Sequence, residues 1–343
     1  MQGRGTRKQR NTGGRMVALQ CVGIDVSADE ITVALEGRAE PVTLANDAEG
    51  HARLLRLLVR KSRRVRVCLE ATGVYHLDLA LALHRTRGIE VMVVNPAAAR
   101  DFSRALLLRS KTDRVDAGVL LEFARRMPFE AWQPPAAEIL DLRAIVRRIG
   151  ALTVARTQER NRLHAAGRTA ELTSPIAWDI EAHLEHLAQS LERLQQQALE
   201  LVQAHAELQR RFERLVSVRG IATTSALRIL AELAVLPGDM SARQWVAHAG
   251  LDPRTEDSGT SLHKPARISK TGNRHLRAAL YMPAMVAVRE EPSVRGFYQK
   301  RIAGGLKPIQ ALVAVERKLL HAIHGMWKTN TNFVGKNFYA MSA

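Results

Sequence analysis

Four acidic residues within the first 116 positions lie where a functional role could explain their charge. Asp25 interrupts the otherwise apolar run GIDV, and Glu70 ends the apolar run CLE just before a glycine turn. Leaving a buried carboxylate unpaired is costly, so both acids call for a partner. Asp113 and Asp116 are three residues apart, a spacing that puts both on one face of the first turn of a helix.

Clustered carboxylates repel one another, and Mg²⁺ is the cation that suits a few carboxylates together with water and phosphate oxygens. Two such ions about 4 Å apart activate an attacking oxygen and stabilise a leaving oxygen at phosphorus. The sequence therefore predicts a Mg²⁺ site with phosphodiester chemistry. The structural alternative makes Asp113 a helix N-cap and Asp116 a first-turn acid favoured by the helix dipole.

A second group with chemical potential lies in the Gly-, Ser- and Lys-rich stretch from Gly250 to Gly272. Its segment DSGTS contains Ser258 and Ser261, and we expect this segment to be a flexible loop. The alternative to a catalytic role is that either serine is simply a turn residue. A serine attacks phosphorus only when its proton is removed and the developing charge is stabilised. The residues alone leave the choice between Ser258 and Ser261 open.

Basic residues interleaved with hydroxyl and amide side chains surround this stretch, a composition suited to phosphate contacts. A solvated charged face is the alternative. The predicted nucleic-acid-binding residues are Arg254, Lys264, Arg267, Lys270, Arg274 and Arg277.

Apolar patterning predicts the elements that position the acids. Three consecutive strands, Val17 to Val26, Glu30 to Leu35 and Pro41 to Leu44, predict an antiparallel meander. Strands Arg64 to Leu69 and Glu90 to Val94 alternate with helices over 47–61 and 74–87, which predicts parallel strands. This order resembles an RNase H-like fold, in which the first and fourth strands are neighbours. Asp25 and Glu70 would then face each other, and a helix from Asp113 to Arg126 would close the domain.

The segment from Glu138 to about Val218 is helical in composition, with an interruption at 173–175. Steps of three and four residues form an a/d heptad seam, which favours a coiled coil that joins two copies of the chain. A helix that packs on its own protein is the alternative. The seam consists of Leu184, Leu187, Leu191, Leu194, Ala198, Leu201, His205 and Leu208.

Composition points to a polyanion as the partner. The chain has 343 residues, with 51 Lys and Arg against 34 Asp and Glu, for a formal net charge of +17. No apolar run approaches the roughly 20 residues of a membrane-spanning helix, so no membrane partner is expected. Cys21 and Cys68 lie in apolar runs with no signal peptide before them, which predicts buried thiols and a cytoplasmic protein.

Several motifs together resemble the DEDD transposases of the IS110 class of insertion sequences, a family that also includes pilin-inverting recombinases. The first half carries GID at Asp25, LEATG at Glu70, VNP at 94–96 and KTDRVDA with Asp113 and Asp116. The second half carries AGL at 249–251, SG at Ser258, ISKTG at 268–272 and RAALYMPA at 277–284. The resemblance implies an α/β RNase H-like (RuvC-like) N-terminal domain, a helical coiled-coil insert and a mainly α C-terminal transposase domain.

The resemblance also implies boundaries and roles. We expect a disordered basic tail at 1–15, the RuvC-like domain at 16–132, the coiled-coil linker at 138–212, the transposase domain at 213–330 and a tail at 331–343. Asp25, Glu70, Asp113 and Asp116 would hold Mg²⁺, and Ser258 would form a covalent phosphoserine with DNA. The implied partners are double-stranded DNA at element ends and target, a structured guide RNA encoded by the element, and further copies of the chain in a dimer or tetramer.

Two other classes of function fit parts of the sequence. A hydrolytic RuvC-like junction resolvase would need the carboxylates alone and would be indifferent to Ser258→Ala. A non-enzymatic nucleic-acid-binding coiled-coil protein would need only the charge and the heptads, and its binding would not depend on Asp25 or Mg²⁺. Affinity that falls steeply with salt is common to all three and does not discriminate them.

Overall fold

The computed structural model describes residues 18–59, 63–71, 73–107, 112–168, 174–258 and 262–340. The chain divides into two compact units, with the boundary between Pro134 and Pro135. In the described ranges, no helix is both long and apolar enough to cross a membrane. The basic segment 1–15, which the sequence predicts to be disordered, lies outside the described residues.

A mixed sheet forms the centre of the N-terminal unit, with strand order β3-β2-β1-β4-β5. β1 pairs antiparallel with β2 and parallel with β4, β2 pairs antiparallel with β3, and β4 pairs parallel with β5. This confirms the predicted meander extended by parallel strands, an order compatible with an RNase H-like fold. The strands are β1 (Ala18–Val26), β2 (Glu30–Leu35), β3 (Val42–Ala45), β4 (Arg63–Glu70) and β5 (Ile89–Val94).

Helices cover both faces of this sheet, because successive side chains of a buried strand point to opposite faces. Val22 and Ile24 pack towards one pair of helices, while Cys21 and Cys68 pack towards the other pair. Both cysteines are free and buried, as predicted. The helices are α1 (Ala48–Leu58) and α2 (Leu77–His84) on the first face, and α3 (Pro96–Ala105) and α4 (Asp113–Arg126) on the second.

The C-terminal unit is mainly helical and has one continuous apolar core. Two long helices, α5 (Ala137–Ala166) and α6 (Ser174–Ala204), pack side by side and contribute to the same core as the helices that follow. The later helices are α7 (Ala206–Val216), α8 (Thr223–Leu233), α9 (Ala242–His248), α10 (Arg274–Glu290), α11 (Pro292–Ala303), α12 (Pro308–Thr329) and α13 (Gly335–Phe338).

The heptad seam has an explanation within a single chain. Leu187, Leu191, Ala198 and Leu208 are buried in the core of the C-terminal unit, which also contains residues of α5 such as Leu142, and α5 packs against α6. This supports the alternative of a helix that packs on its own protein. The seam's periodicity therefore does not by itself require a second copy of the chain.

Two parts of the C-terminal unit differ from the sequence-based expectation. The predicted flexible loop around Ser258 contains a two-stranded antiparallel ribbon, β6 (Pro253–Ser258) and β7 (Leu262–Ile268). Its polar residues lack the apolar alternation that marks a half-buried strand, so pattern reading missed it. The segment predicted as a tail, 331–343, contains the short helix α13, whose Phe338 is buried against Phe297 with ring centroids 5.8 Å apart.

Candidate active site

Strand register brings Asp25 and Glu70 to the same edge of the sheet. Ile24 of β1 is the partner of Leu69 of β4, and each acid is the next residue along its strand. The alternation of side chains puts Asp25 on the same face as Cys21, and Glu70 on the same face as Cys68. Since both cysteines face α4, both acids lie on the α4 face of the sheet.

Gly23 lets α4 approach this face closely. A Cβ atom at residue 23 would stand only 2.2 Å from the carbonyl oxygen of Ala117 and from the amide nitrogen of Leu121. Any side chain there would collide with the backbone of α4 and push the helix away. The glycine two residues before Asp25 thus sets the distance between the strand acid and the helix acids.

Asp113 and Asp116 belong to the first turn of α4. The N-cap is Thr112, whose hydroxyl accepts a hydrogen bond from the backbone nitrogen of Val115 at 3.3 Å. The structural alternative that made Asp113 the cap is therefore wrong. Asp113 is exposed and Asp116 is half-buried, and both lie where the helix dipole favours negative charge.

The pKa of Asp25 shows that the other three acids are near enough to act on it. Burial, followed by the charges of Asp116, Asp113 and Glu70, raises the pKa of Asp25 to about 6, against the lowering effect of a backbone hydrogen bond at Val26. A carboxylate whose pKa is raised by three nearby acids is suited to binding a cation. This set of oxygen donors fits a hard divalent ion such as Mg²⁺, which binds through one or two carboxylates plus water and phosphate.

The acids are near one another without yet forming a closed ligand shell. Among the residues that the structure describes, no group of three or more His, Cys, Asp or Glu side chains is close enough to hold a metal ion as it stands. The charges of the other acids raise the pKa of Asp25 over a longer distance than a metal ion can be coordinated. The acids can therefore shift this pKa without being close enough to share an ion. Repulsion between like charges keeps such side chains apart until a cation draws them together.

Asn46 is a positioning residue that the sequence analysis missed. Its side-chain nitrogen donates to the carbonyl of Ser27 at 2.8 Å and to the carbonyl of Tyr75 at 3.1 Å. Ser27 follows Asp25 by two residues, and Tyr75 lies in the turn after Glu70, so one amide ties together the loops that leave the two strands. His51 pairs with the Asn46 amide oxygen at 2.8 Å and fixes its orientation. No spacing signal in the sequence marks this residue.

Ser258 is the last residue of β6 and pairs with Leu262 of β7, so its backbone lies at the far end of the ribbon from the helical core. Its side chain and the whole of Ser261 lie outside the described residues. The structure thus places the segment in the C-terminal unit, while the four acids are in the N-terminal unit.

The base of the ribbon is held firmly. The hydroxyl of Ser269 donates to the Asp252 carboxylate at 2.6 Å, and the Ser269 amide donates to the Asp252 carbonyl at 2.9 Å. Gly272 adopts φ +129°, and a Cβ there would stand 2.3 Å from the carbonyl oxygen of His248. Only glycine allows this close approach between the end of the ribbon and α9.

A buried ionic network continues from this base into the long helix α5. Glu232 of α8 is only 2% exposed and accepts hydrogen bonds from Arg147 at 2.9 Å, Arg143 at 3.3 Å and the Asn273 amide at 2.7 Å. Burial alone would raise the pKa of Glu232, but the bond from Arg147, the charge of Arg143 and the bond from Asn273 lower it to about 2. Asn273 also caps α10 directly after the ribbon.

The predicted nucleic-acid-binding residues differ in how exposed their side chains are. Arg254, Arg267, Lys270 and Arg274 are exposed, whereas Arg277 is half-buried and donates to the carbonyl of Ala249 at 2.7 Å. The side chain of Lys264 lies outside the described residues. The exposed members follow the base of the ribbon and the start of α10.

Comparison with protein families gives two matches along the chain. Residues 22–166 match a family model of DEDD transposases of the IS110 type, described as transposase. Residues 212–299 match a second model, described as transposase of the IS116/IS110/IS902 family. The first match contains all four acids, and the second contains Ser258 and the ribbon.

Curated relatives agree with these matches. The chain is 27% identical over 269 residues to the pilin gene-inverting protein of Moraxella bovis, covering 77% of this chain and 80% of that protein. It is 28% identical over 273 residues to the protein of the same name from Moraxella lacunata, with the same coverage. It is also 31% identical over 121 residues to an uncharacterized 43.6 kDa protein of insertion element IS110 from Streptomyces coelicolor, covering 34% of this chain and 29% of that protein.

Proposed function

We propose that this chain, a DNA transposase or recombinase that matches two transposase family models, cuts and rejoins DNA through a covalent phosphoserine at Ser258. The observation that carries the phosphodiester chemistry is the grouping of three acids around Asp25, a half-buried carboxylate whose pKa is raised to about 6. Such a perturbed group in an otherwise apolar strand is typical of a functional site.

We propose that Asp25, Glu70, Asp113 and Asp116 bind Mg²⁺. Divalent ions held there would supply activation of the attacking oxygen and stabilisation of the leaving oxygen at phosphorus. The chain's own contribution is placement: β1 and β4 fix two acids by register, the Thr112 cap starts α4 where the other two are needed, and Gly23 sets the separation.

In the proposed reaction the hydroxyl oxygen of Ser258 forms a bond to a DNA phosphorus, and the bond from that phosphorus to one deoxyribose oxygen breaks. A deoxyribose hydroxyl of the partner strand then attacks the phosphoserine and releases the serine. The number of phosphate ester bonds is conserved, so rejoining needs no outside energy. The exposed Arg254, Arg267, Lys270 and Arg274, together with Lys264 and Arg277, would bind the DNA phosphates.

Because the acids and Ser258 are in different units, we propose that a complete centre is assembled in a dimer or tetramer, with the two parts supplied by different copies. Ile176 and Trp178, which are 50% and 71% exposed near the start of α6, offer apolar surface for such an association.

We also propose that a guide RNA encoded by the element selects the DNA by base pairing. The chain would act in the cytoplasm, where free buried thiols such as those of Cys21 and Cys68 are usual.

The proposal is tested by incubating the full chain with Mg²⁺, element-end DNA and transcripts of the element's flanking RNA, followed by mass spectrometry of peptides. We expect a nucleotide adduct on Ser258 that is absent from Ser258→Ala and from Asp25→Ala. The matched control Ser261→Ala should keep the adduct. Cleavage without an adduct that persists in Ser258→Ala would contradict the proposal and favour a hydrolytic nuclease.

A further inference from the structure

Two adjoining cavities of the C-terminal unit form one groove along α12. The larger has a volume of about 570 Å³ and is lined by the base of the β6–β7 ribbon and the start of α12. The smaller, about 460 Å³, is lined by α11 and α12. Both are lined by Leu306, Ala314 and Arg317, so they adjoin, and we refer to them together as the α12 groove.

The α12 groove concentrates positive charge. Arg267 and Lys270 line the larger cavity, Arg301 and Lys318 line the smaller one, and Arg317 lines both. Among the described residues that line the groove there is no carboxylate to balance them. Burial lowers the pKa of Lys318, and the charge of Arg301 lowers it further, which reflects cations crowded in one place. An anion in the groove would relieve this repulsion.

Arg317 contributes an unused hydrogen-bond donor. Its Nε atom is buried and finds no hydrogen-bond acceptor in the described part of the protein. Buried donors in folded proteins are almost always satisfied, and exceptions are found where a ligand, ion or water provides the acceptor. Arg317 also lines both cavities, so its guanidinium group is placed to meet an anion in the groove.

The wall of the groove beside these cations is apolar. Leu306 and Ile309 are 37% and 53% exposed, large fractions for residues of this type in a concave surface. Pro253, Ile268 and Val313 extend the same wall. An inorganic anion would leave this apolar surface unused, whereas a nucleobase offers a flat face that packs against apolar side chains. The cavity volume is within the range of pockets that hold small organic ligands.

We propose that the α12 groove receives one unpaired nucleotide, with its base against Leu306 and Ile309 and its phosphate on Arg317. The inference rests on the proposed function only in that the ligand is part of a nucleic acid handled by this chain. It assigns to the groove a task that the carboxylates and Ser258 do not perform, the capture of a base that has left its helix.

The α12 groove is lined by a residue of the same strand as Ser258, so a nucleotide bound there would be held at a set distance from the serine. Pro253 lines the groove and begins β6, and Ser258 ends the same strand five residues later. Five residues of extended strand span about 17 Å. That length corresponds to about five nucleotide steps of 3.4 Å along one strand of a duplex. A captured nucleotide would therefore fix the register of a strand relative to Ser258.

The test measures binding of the full chain carrying Ser258→Ala, without Mg²⁺, so that its result does not depend on covalent chemistry. The probes are a DNA duplex and an RNA hairpin, each with a single 2-aminopurine that is either paired or unpaired in a one-nucleotide bulge. We expect the bulged probe of at least one nucleic acid to bind about tenfold more tightly than its paired form, the order of effect that stacking of one base produces.

Two variants and a matched control locate the preference. Arg317→Gln and Ile309→Ser should each reduce the preference for the bulge to about twofold or less, with loss of the change in 2-aminopurine fluorescence. Arg160→Gln, which removes the same charge from an exposed position on α5, should keep the preference. If Arg317→Gln fails to fold, Ile309→Ser provides the test of the groove. The side chain of Ile309 is 53% exposed, so this substitution should leave the fold intact.

Preference for a bulge in DNA alone would identify a DNA strand as the source of the nucleotide, and preference in RNA alone would identify the guide. Either result supports the groove as a nucleotide site. Equal binding of paired and bulged probes by the chain with an intact groove would overturn the proposal. So would an equal loss of preference in Arg160→Gln and Arg317→Gln, which would reduce the effect to overall charge.

Discussion

Burial acts on a carboxylate in each unit, on the half-buried Asp25 in the N-terminal unit and on the fully buried Glu232 in the C-terminal unit, yet the two respond in opposite ways. Burial and three neighbouring acids raise the pKa of Asp25 to about 6. Burial is outweighed for Glu232 by Arg147, Arg143 and Asn273, which lower its pKa to about 2. One carboxylate is surrounded by charges of its own sign, and the other is neutralised on every side.

The contrast separates a group that serves the fold from a group that serves a reaction. Glu232 has all its hydrogen-bond partners within the protein, and it joins α5, α8 and the start of α10. Asp25 is kept in an apolar strand against electrostatic cost, and the charged groups that shift its pKa are the acids Asp116, Asp113 and Glu70. Groups of the second kind cluster at functional sites, where a ligand supplies the compensation.

The largest expected effect is the loss of recombination in Asp25→Asn. The change keeps the shape of the side chain and removes a charge that the proposed site requires. We expect recombination of a reporter plasmid to fall by at least about 10³-fold, equivalent to about 4 kcal/mol of transition-state stabilisation. The matched control Asp29→Asn, which removes the same charge from the exposed loop after β1, should stay within about threefold. Full activity of Asp25→Asn would remove Asp25 from the catalytic centre.

Glu232→Ala should show the opposite pattern, with its main effect on stability. Removing the acid leaves Arg143 and Arg147 facing each other without a counter-charge in a partly buried site. Loss of one partner of a buried pair costs about 3–5 kcal/mol. Urea unfolding of the C-terminal unit would measure this, and Glu200→Ala at an exposed position on α6 should change stability by about 0.5 kcal/mol or less. Equal stability of the two variants would contradict a structural role for Glu232.

Two glycines of the N-terminal unit offer a finer comparison. A Cβ at residue 23 would meet the backbone of α4 at 2.2 Å, whereas one at residue 118, within α4 itself, meets nothing within 4 Å. We expect Gly23→Ala to lose about 1–3 kcal/mol of stability through overpacking and to lower recombination as α4 moves from Asp25. Gly118→Ala should instead gain about 0.5–1 kcal/mol, because alanine favours a helix over glycine. Thermal unfolding and the plasmid assay, applied to both variants, check this.

The pH dependence of stability tests the Glu232 side of the comparison without disrupting the packing around it. The folded pKa of Glu232 is about 2, below its ordinary value of 4.5. A depressed pKa means that the stabilising contribution is complete above about pH 4.5 and is lost as pH falls from there towards 2. The wild type should therefore lose stability over this window more steeply than Glu232→Gln, which has no proton to gain. Parallel curves for the two proteins would show that Glu232 does not titrate as described.

Much of the N-terminal unit could be predicted because each of its elements carries a local signal. Helix α4 runs from Asp113 to Arg126 as the sequence indicates, since the TDRVDA segment begins with a cap and first-turn acids. The neighbouring positions of β1 and β4 followed from the alternation of strands and helices. The contribution of Gly23 could not be predicted, because a close contact with α4 depends on packing between segments about a hundred residues apart.

The C-terminal unit was harder to predict, because its signals are either ambiguous or absent. The heptad seam has the same period whether its partner is another copy or helix α5, and only the structure shows that Leu187 and Leu191 are buried in the chain's own core. The β6–β7 ribbon has no apolar face, so nothing in its pattern marks it as paired. Glu232 stands in an apolar helix without any local sign that Arg143 and Arg147, some ninety residues earlier, neutralise it.

The most direct test of the contrast between the two carboxylates is divalent-cation binding by the full chain, followed with Mn²⁺ by electron paramagnetic resonance and by displacement with Mg²⁺. We predict bound Mn²⁺ in the wild type, in Asp29→Asn and in Glu232→Gln, and its loss in Asp25→Asn. Mg²⁺ at about a hundred times its dissociation constant should also stabilise the N-terminal unit of the wild type by about 2.7 kcal/mol. Equal binding of Mn²⁺ by the wild type and by Asp25→Asn would contradict a cation site at these acids.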